Sequence, residues 1–174
     1  MDASTPSWLV GQGWVQLGEL GLAFVLSSLI GLERELRGKH AGLRTQSLVG
    51  TASALMMLVS KYAFFDVLSD QVNLDPSRVA AGIMAGIGFI GGGLILARNG
   101  VVHGLTTAAA VWMTAAVGLA AGGGLWLVAT AATLLYFVAV VGYTQIVKRL
   151  PQHHADRAGT AHKEELPLLH DDDD

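Results

Sequence analysis

The chain contains no cysteine, few charges and no recognisable catalytic motif. None of its 174 residues is a cysteine, so neither a disulfide nor a thiolate metal site can form. It has no H-E-x-x-H sequence, no phosphate-binding loop ending in Gly-Lys-Ser/Thr, and no G-x-S-x-G elbow. Only 14% of the residues are charged and 52% are hydrophobic, which is too apolar for an ordinary soluble domain. We therefore expect a membrane protein that is not an enzyme.

Long uncharged stretches predict five membrane-spanning helices, since about 20 predominantly apolar residues cross the hydrocarbon core as a helix. No Lys, Arg, Asp or Glu occurs from Asn99 to Val147, a run of about 49 residues with room for two spans. The consecutive glycines Gly122 to Gly124 mark a turn between them. The sequence thus predicts an all-α fold, a polytopic transmembrane helical bundle with spans at about 15–32, 45–65, 79–97, 105–121 and 125–147.

The distribution of cations predicts the orientation of this bundle, because Lys and Arg are retained in cytoplasmic loops. The segment 33–44 carries four of them, which places it in the cytoplasm. Alternation then puts the N-terminal segment 1–14 outside and the tail 148–174 in the cytoplasm. The tail is polar and ends in four aspartates, so we expect it to be disordered. Its histidines and aspartates leave the existence of a metal site unknown.

The third predicted span contains Gly86-Ile-Gly-Phe-Ile-Gly91, which matches the G-x-G-x-x-G form of a dinucleotide-binding loop. That loop requires a preceding strand and a following helix in a βαβ unit, whereas these glycines lie inside an uncharged span. In lipid, glycines instead allow helices to approach closely. The positions predicted to pack against neighbouring helices are Gly82, Gly86, Gly88, Gly91, Gly92 and Gly93.

This glycine pattern predicts that the third span is central, with neighbours on several sides. The bulky residues would then form a narrow stripe toward lipid, consisting of Ile83, Ile87, Ile90 and Leu94. An alternative is that the helix unwinds near Gly91 to Gly93 and exposes carbonyl groups to a cation inside the bundle, as broken helices do in transporters.

The charged segment after the first span is the second informative stretch. Glu33 lies at the predicted cytoplasmic end of that span, where its carboxylate could pair with Arg44 at the start of the next. Such a pair is either a purely structural ion pair or part of a functional vestibule. Both interpretations stay open.

Four motifs together resemble the MgtC/SapB family of bacterial membrane proteins. They are Gly31-Leu-Glu-Arg-Glu35 with Arg37-Gly-Lys39, Ala41-Gly-Leu-Arg-Thr45, the run from Gly86 to Ile95, and Gly104-Leu-Thr-Thr-Ala-Ala108. Their order and spacing match over roughly residues 10–147. Matched residue by residue, the resemblance implies a functional signature of Glu33, Arg34, Glu35, Gly42, Arg44, Thr45, Thr106 and Thr107, together with Gly86, Gly88, Gly91 and Gly93.

The resemblance implies a bacterial inner-membrane protein linked to adaptation to low magnesium and to intracellular survival of pathogens. Some members are associated with restraint of the proton-translocating ATP synthase. The favoured interpretation is therefore a non-enzymatic regulator of another membrane complex. The alternative is a transporter, or an accessory subunit, for magnesium or another ion, with a cytoplasmic vestibule lined by Glu33, Glu35 and Arg44.

The expected partners are the lipid bilayer, a membrane protein such as the ATP synthase, and further copies of the chain in a homo-oligomer. No nucleic acid and no cofactor are expected. Longer family members carry a folded cytoplasmic domain after the last span, which we expect this chain to lack.

Overall fold

The computed structural model describes residues 12–64, 75–98, 101–143 and 145. In this part of the chain, five α-helices overlap the five predicted segments, which confirms the helical class. They are α1 (Trp14–Leu36), α2 (Leu43–Tyr62), α3 (Pro76–Gly93), α4 (Leu105–Gly122) and α5 (Trp126–Phe137), the last continued by a π-helical turn (Val138–Gly142). By length and composition, α1 and α4 could each cross a membrane. The five-span arrangement and its orientation stay predictions, and residues 1–11 and 148–174 lie outside the described residues.

A short β-hairpin between α3 and α4 was not predicted. Its antiparallel strands are β1 (Leu96–Arg98) and β2 (Val101–His103), with Arg98 opposite Val101. In the sequence, Asn-Gly stands between the two strands, and this dipeptide is a strong signal for a two-residue hairpin. The third span was predicted to end at residue 97, whereas the helix α3 ends at Gly93. The last residues of that predicted span are apolar, so the hydropathy argument extended the helix into a strand.

Gly104 joins this hairpin to α4 and has to be a glycine. Its φ angle is +89°, a left-handed value that favours a residue without a side chain. A Cβ atom at this position would also overlap the carbonyl oxygen of Leu94.

The helices α1, α2 and α4 pack against one another and form the centre of the bundle. Their backbones approach closely at glycines. A Cβ atom on Gly31 would lie 2.8 Å from the Cα atom of Leu43, and one on Gly118 would overlap the backbone of Gly50. A hydrogen bond of 2.8 Å between the hydroxyls of Ser28 and Ser47 also joins α1 to α2. Small residues thus bring three backbones into direct contact, as expected for helices that associate in lipid.

The glycines of the third span are predicted to pack against neighbouring helices, and within the described chain five of the six positions make no such contact. An added Cβ atom would meet nothing within 4 Å at Gly82, Gly86, Gly88, Gly92 and Gly93 in the described structure. At Gly91 it would contact Ala108 at 3.7 Å. The helix α3 lies at the edge of the bundle against α4 and α2, so the prediction of a central span is wrong.

Three of the four residues of the bulky stripe of α3 face its neighbours, whereas Ile90 is 46% exposed. Ile87 is only 9% exposed and packs with Val111 and Ala115, and the partly buried Ile83 and Leu94 pack against this cluster. The physical reason is that a branched side chain buries more apolar surface against α4 than a glycine does. The contact therefore turns Ile83 and Ile87 inward and leaves most of the glycines uncovered.

Unwinding inside α3 near Gly91 to Gly93 does not occur either. The helix ends at Gly93, and the carbonyl oxygens of Gly91 and Gly92 accept hydrogen bonds from the amides of Leu94 and Ile95. At its other end, Asp75 caps the helix by accepting a hydrogen bond from the amide of Ser77. Hydrogen bonds from Ser77 hold the pKa of the Asp75 carboxyl below its usual 3.8.

Helix direction alternates along the chain. The C-terminal halves of α1 and α5 meet the N-termini of α2 and α4 around Arg34, and we call this the Arg34 end. At the opposite end, Lys61 of α2 lies 3.7 Å from Glu19 of α1 and donates a hydrogen bond to the carbonyl of Gly122 at 3.3 Å. We call this the Glu19 end.

Replacing Gly118 by alanine should lower the free energy of unfolding by about 1–3 kcal/mol, because the added methyl group forces the α2 and α4 backbones apart. Gly82→Ala is the matched control. It should leave stability unchanged or raise it by up to about 1 kcal/mol, since alanine is the better helix former and meets no neighbour. Unfolding of both variants in detergent, followed by circular dichroism, measures the difference. A larger loss for Gly82→Ala than for Gly118→Ala would contradict the observed packing.

Candidate functional site

Arg34, in the last turn of α1, is a charged side chain that is only 1% exposed. Its Nη2 atom donates to the hydroxyl of Thr107 at 2.7 Å and to the carbonyl of His40 at 3.0 Å, and its Nε atom donates to the carbonyl of Ala41 at 3.3 Å. A buried charge is tolerated only when its donors are satisfied. Arg34 therefore joins α1, the 37–42 loop and α4 through one guanidinium group.

The local sequence explains why the loop reaches Arg34. Gly38 adopts φ +60°, its amide donates to the carbonyl of Glu35, and the amide of Lys39 donates to the carbonyl of Arg34. These two bonds form a Schellman motif, which ends a helix at a glycine. Ala41 also has a positive φ, of 56°, an uncommon value for a residue with a side chain.

Glu33 connects α1 to α5. Its Oε1 atom lies 2.6 Å from the Nε atom of Arg37, and its Oε2 atom accepts a hydrogen bond of 3.0 Å from the hydroxyl of Tyr136. The Glu33 side chain is 9% exposed. The predicted pair between Glu33 and Arg44 is therefore wrong. Arg37 follows Glu33 by one helical turn on the same face, whereas the Arg44 side chain is exposed.

Glu35 connects α1 to the start of α2. Its Oε2 atom accepts a 3.0 Å hydrogen bond from the amide of Leu43, the first residue of α2. A carboxylate is favourable at this position because the amide groups at a helix N-terminus carry partial positive charge. A Cβ atom on Gly42 would overlap that carboxylate. Gly42 thus leaves the space in which Glu35 caps the helix.

The structure brings together five of the eight polar and loop positions of the predicted signature. Arg34 and Thr107 are in direct contact, Glu33 and Glu35 lie one residue to either side of Arg34, and Gly42 borders Glu35. The other three have exposed side chains: Arg44, Thr45 and Thr106.

Sequence reasoning missed two residues of this site. Tyr136 binds Glu33, as described above, and also interacts with Arg34. Gln46 is 0% exposed, and its Nε2 atom donates at 3.2 Å to the carbonyl of Ala41 that Arg34 also binds. A signal existed for both, because a phenol or an amide inside an apolar helix requires a polar partner.

The site is built for holding helices together more than for ligating an ion. Within the described ranges, no group of three or more His, Asp and Glu residues could hold a metal ion. The Glu33 and Glu35 carboxylates are bonded to a tyrosine, an arginine and a backbone amide.

Arg34→Met should destabilise the protein by about 1–3 kcal/mol, because the part-buried carbonyls of His40 and Ala41 lose their charged donor. Arg44→Met is the matched control and should change stability by no more than about 0.5 kcal/mol, as expected for an exposed side chain. Thermal unfolding of the purified proteins in detergent compares the two. Equal losses would argue against Arg34 as the residue that holds this end.

Gly42→Ala and Glu35→Ala should each cost about 1 kcal/mol, since either change removes the carboxylate from the start of α2. Combined, they should cost little more than either alone, because both act on one contact. Unfolding of the single and double variants completes the cycle. Additive losses would mean that Gly42 serves a purpose other than making room for Glu35.

The sequence matches the MgtC family over residues 20–149. Relatives include "Putative magnesium transporter YhiD" of Escherichia coli (strain K12), 49% identical over 130 residues, which are 74% of this chain and 60% of the relative. "Protein SapB" of Bacillus subtilis (strain 168) is 37% identical over 134 residues, 76% of this chain and 58% of the relative. "Protein MgtC" of Brucella abortus (strain 2308) is 39% identical over 137 residues, which are 79% of this chain and 54% of the relative.

No solved structure matches the chain. The matched region spans between about half and three fifths of the length of these curated relatives. It includes the segment 33–44, the glycines of α3 and the start of α4, which carry the residues described above. The extent of this match, with the three relatives, shows that the chain belongs to the MgtC family.

Proposed function

We propose that this MgtC-family protein is an integral protein of the bacterial inner membrane that regulates another membrane complex. In this arrangement all five helices span the bilayer, the N-terminus is outside and the Arg34 end is cytoplasmic. The alternating helix directions support it. So does the concentration of cations in the 33–44 segment, which is the pattern of a cytoplasmic loop.

The observation that carries the proposal is the bonding of the signature charges. Arg34, Glu33 and Glu35 each bind a different structural element, namely α4, α5 and the start of α2. Hydrogen bonds and ion pairs that tie several helices to one end in this way make that end rigid. The Arg34 end therefore presents a surface of fixed shape, which is the requirement for recognising a partner without a large ordering cost.

The proton-translocating ATP synthase is the first candidate for the regulated complex, on the basis of the family resemblance. Inverted membrane vesicles from cells lacking this protein provide the test, with the wild-type chain or Arg34→Met supplied at equal amounts. We expect the wild-type chain to lower ATP-driven proton pumping. Arg34→Met should lower it less, because the surface at the Arg34 end loses its fixed shape.

Two controls complete this test. Membrane fractionation shows whether each variant is inserted, and cross-linking in the same vesicles shows whether a subunit of the synthase is adjacent. Unchanged pumping, together with cross-links to no protein other than the chain itself, would contradict regulation of this complex.

A second candidate function is ion transport. One 49% identical relative bears the name "Putative magnesium transporter YhiD", and the Oε2 atom of Glu19 is buried with no hydrogen-bond partner in the described structure. A buried carboxylate oxygen of this kind can serve an ion pathway.

Magnesium entry into proteoliposomes decides between the two candidates. The regulator predicts no entry above that of empty liposomes. Entry that is reduced by Glu19→Gln, in protein shown to be folded, would establish transport. Asp75→Asn serves as the control, since that carboxylate is exposed and caps the start of α3.

A further inference from the structure

An apolar groove of about 750 Å³ separates α2 from α3. Leu48, Ala52 and Met56 line it from α2, while Gly86 and Phe89 are among the residues that line it from α3. The groove runs along both helices because the α2 residues follow one another at intervals of four, which places them in one row on a helix.

Other parts of the described protein leave this groove uncovered. Phe89 is 86% exposed and Leu48 is 72% exposed. An added Cβ atom at Gly82 or Gly86 would meet nothing within 4 Å. The glycines thus leave space in the groove, and the other lining residues are mostly larger apolar side chains. An elongated apolar channel that is open to the side has the shape and chemistry of a site for a hydrocarbon chain.

One end of the row on α2 carries a charge. Arg44 precedes Leu48 by four residues, so it continues the row formed by Leu48, Ala52 and Met56. Its side chain is exposed, and the ion pairs of the described structure do not include it. Arg44 lies in the first turn of α2, which is the depth at which a phosphate headgroup would meet the protein if the helix spans the bilayer.

We propose that this groove binds one anionic phospholipid, with an acyl chain between α2 and α3 and its phosphate at Arg44. The inference rests on the membrane location proposed above. It assigns a role to Arg44, which stays outside the bonded network of the Arg34 end, and to the α3 glycines that no neighbouring helix covers.

Charge favours a lipid over a second copy of the chain. Two copies that associate about an axis along the membrane normal would use the same face at the same depth. This face carries Arg44, and its lining residues include no carboxylate. Association would therefore place two arginines near each other without a counter-charge, whereas an anionic headgroup neutralises one.

Native mass spectrometry of the full chain in detergent tests the proposal. Phosphatidylglycerol and phosphatidylcholine with identical acyl chains are added at equal concentration. We expect preferential retention of phosphatidylglycerol, and Arg44→Gln should lower that retention about fivefold, as expected for one basic residue at an anionic membrane surface. Lys39→Gln, which removes an exposed cation away from the row, should retain the lipid as the wild type does.

A second pair of variants tests the groove itself. Gly86→Leu places a side chain in open space inside the groove and should lower retention of both lipids. Gly18→Leu is the matched control, because Gly18 lies on α1, away from the groove, and is equally uncovered. Thermal unfolding establishes that each variant is folded.

Three results would overturn the inference: equal retention of the two lipids, equal effects of Arg44→Gln and Lys39→Gln, or a dimer that Gly86→Leu dissociates. Membrane fractionation distinguishes failure of the lipid proposal from failure of the proposed membrane location. A protein that fractionates with membranes but shows one of these results loses only the lipid site. A protein that is found in the soluble fraction loses both.

Discussion

Burial of the Arg34 guanidinium is the constraint on which the Arg34 end depends. A guanidinium that is 1% exposed requires hydrogen-bond acceptors in fixed positions, and here the acceptors come from the 37–42 loop and from α4. The Schellman motif at Gly38 turns the chain so that the loop carbonyls face inward. Gln46 binds the same Ala41 carbonyl, so the start of α2 is held by the same group of bonds.

Glycine has two opposite uses in this bundle. At Gly31 and Gly118, the missing side chain lets neighbouring backbones touch, and these contacts hold α1, α2 and α4 together. Along α3, most glycines touch no other part of the described protein, and the isoleucines make the contacts. The same residue type thus closes the centre of the bundle and opens a groove at its edge. The lipid proposal depends on the second use.

The sequence predicted the helices well and their contacts poorly. Apolar length located all five helices, since it measures a property of each segment alone. The family motifs located Glu33, Arg34, Glu35, Gly42 and Thr107, five residues that the fold brings to one end. The predicted partner of Glu33 was wrong, because Arg37 and Arg44 are both cations near Glu33 in the sequence. The structure shows that Glu33 pairs with Arg37, whereas Arg44, in the first turn of α2, is exposed.

The sequence by itself therefore determined the class of the protein, the positions of its helices and its membership of a family. These follow from apolar runs, from helical periodicity and from residue identities in order. Only the tertiary structure decided which face of α3 is inward, because an isoleucine stripe and a glycine stripe can each serve as a contact surface. The outcome depends on the shape of α4, which contributes Val111 and Ala115. It likewise decided that Arg34 is buried while Arg44 is exposed, since burial is a property of the surrounding helices and not of the residue.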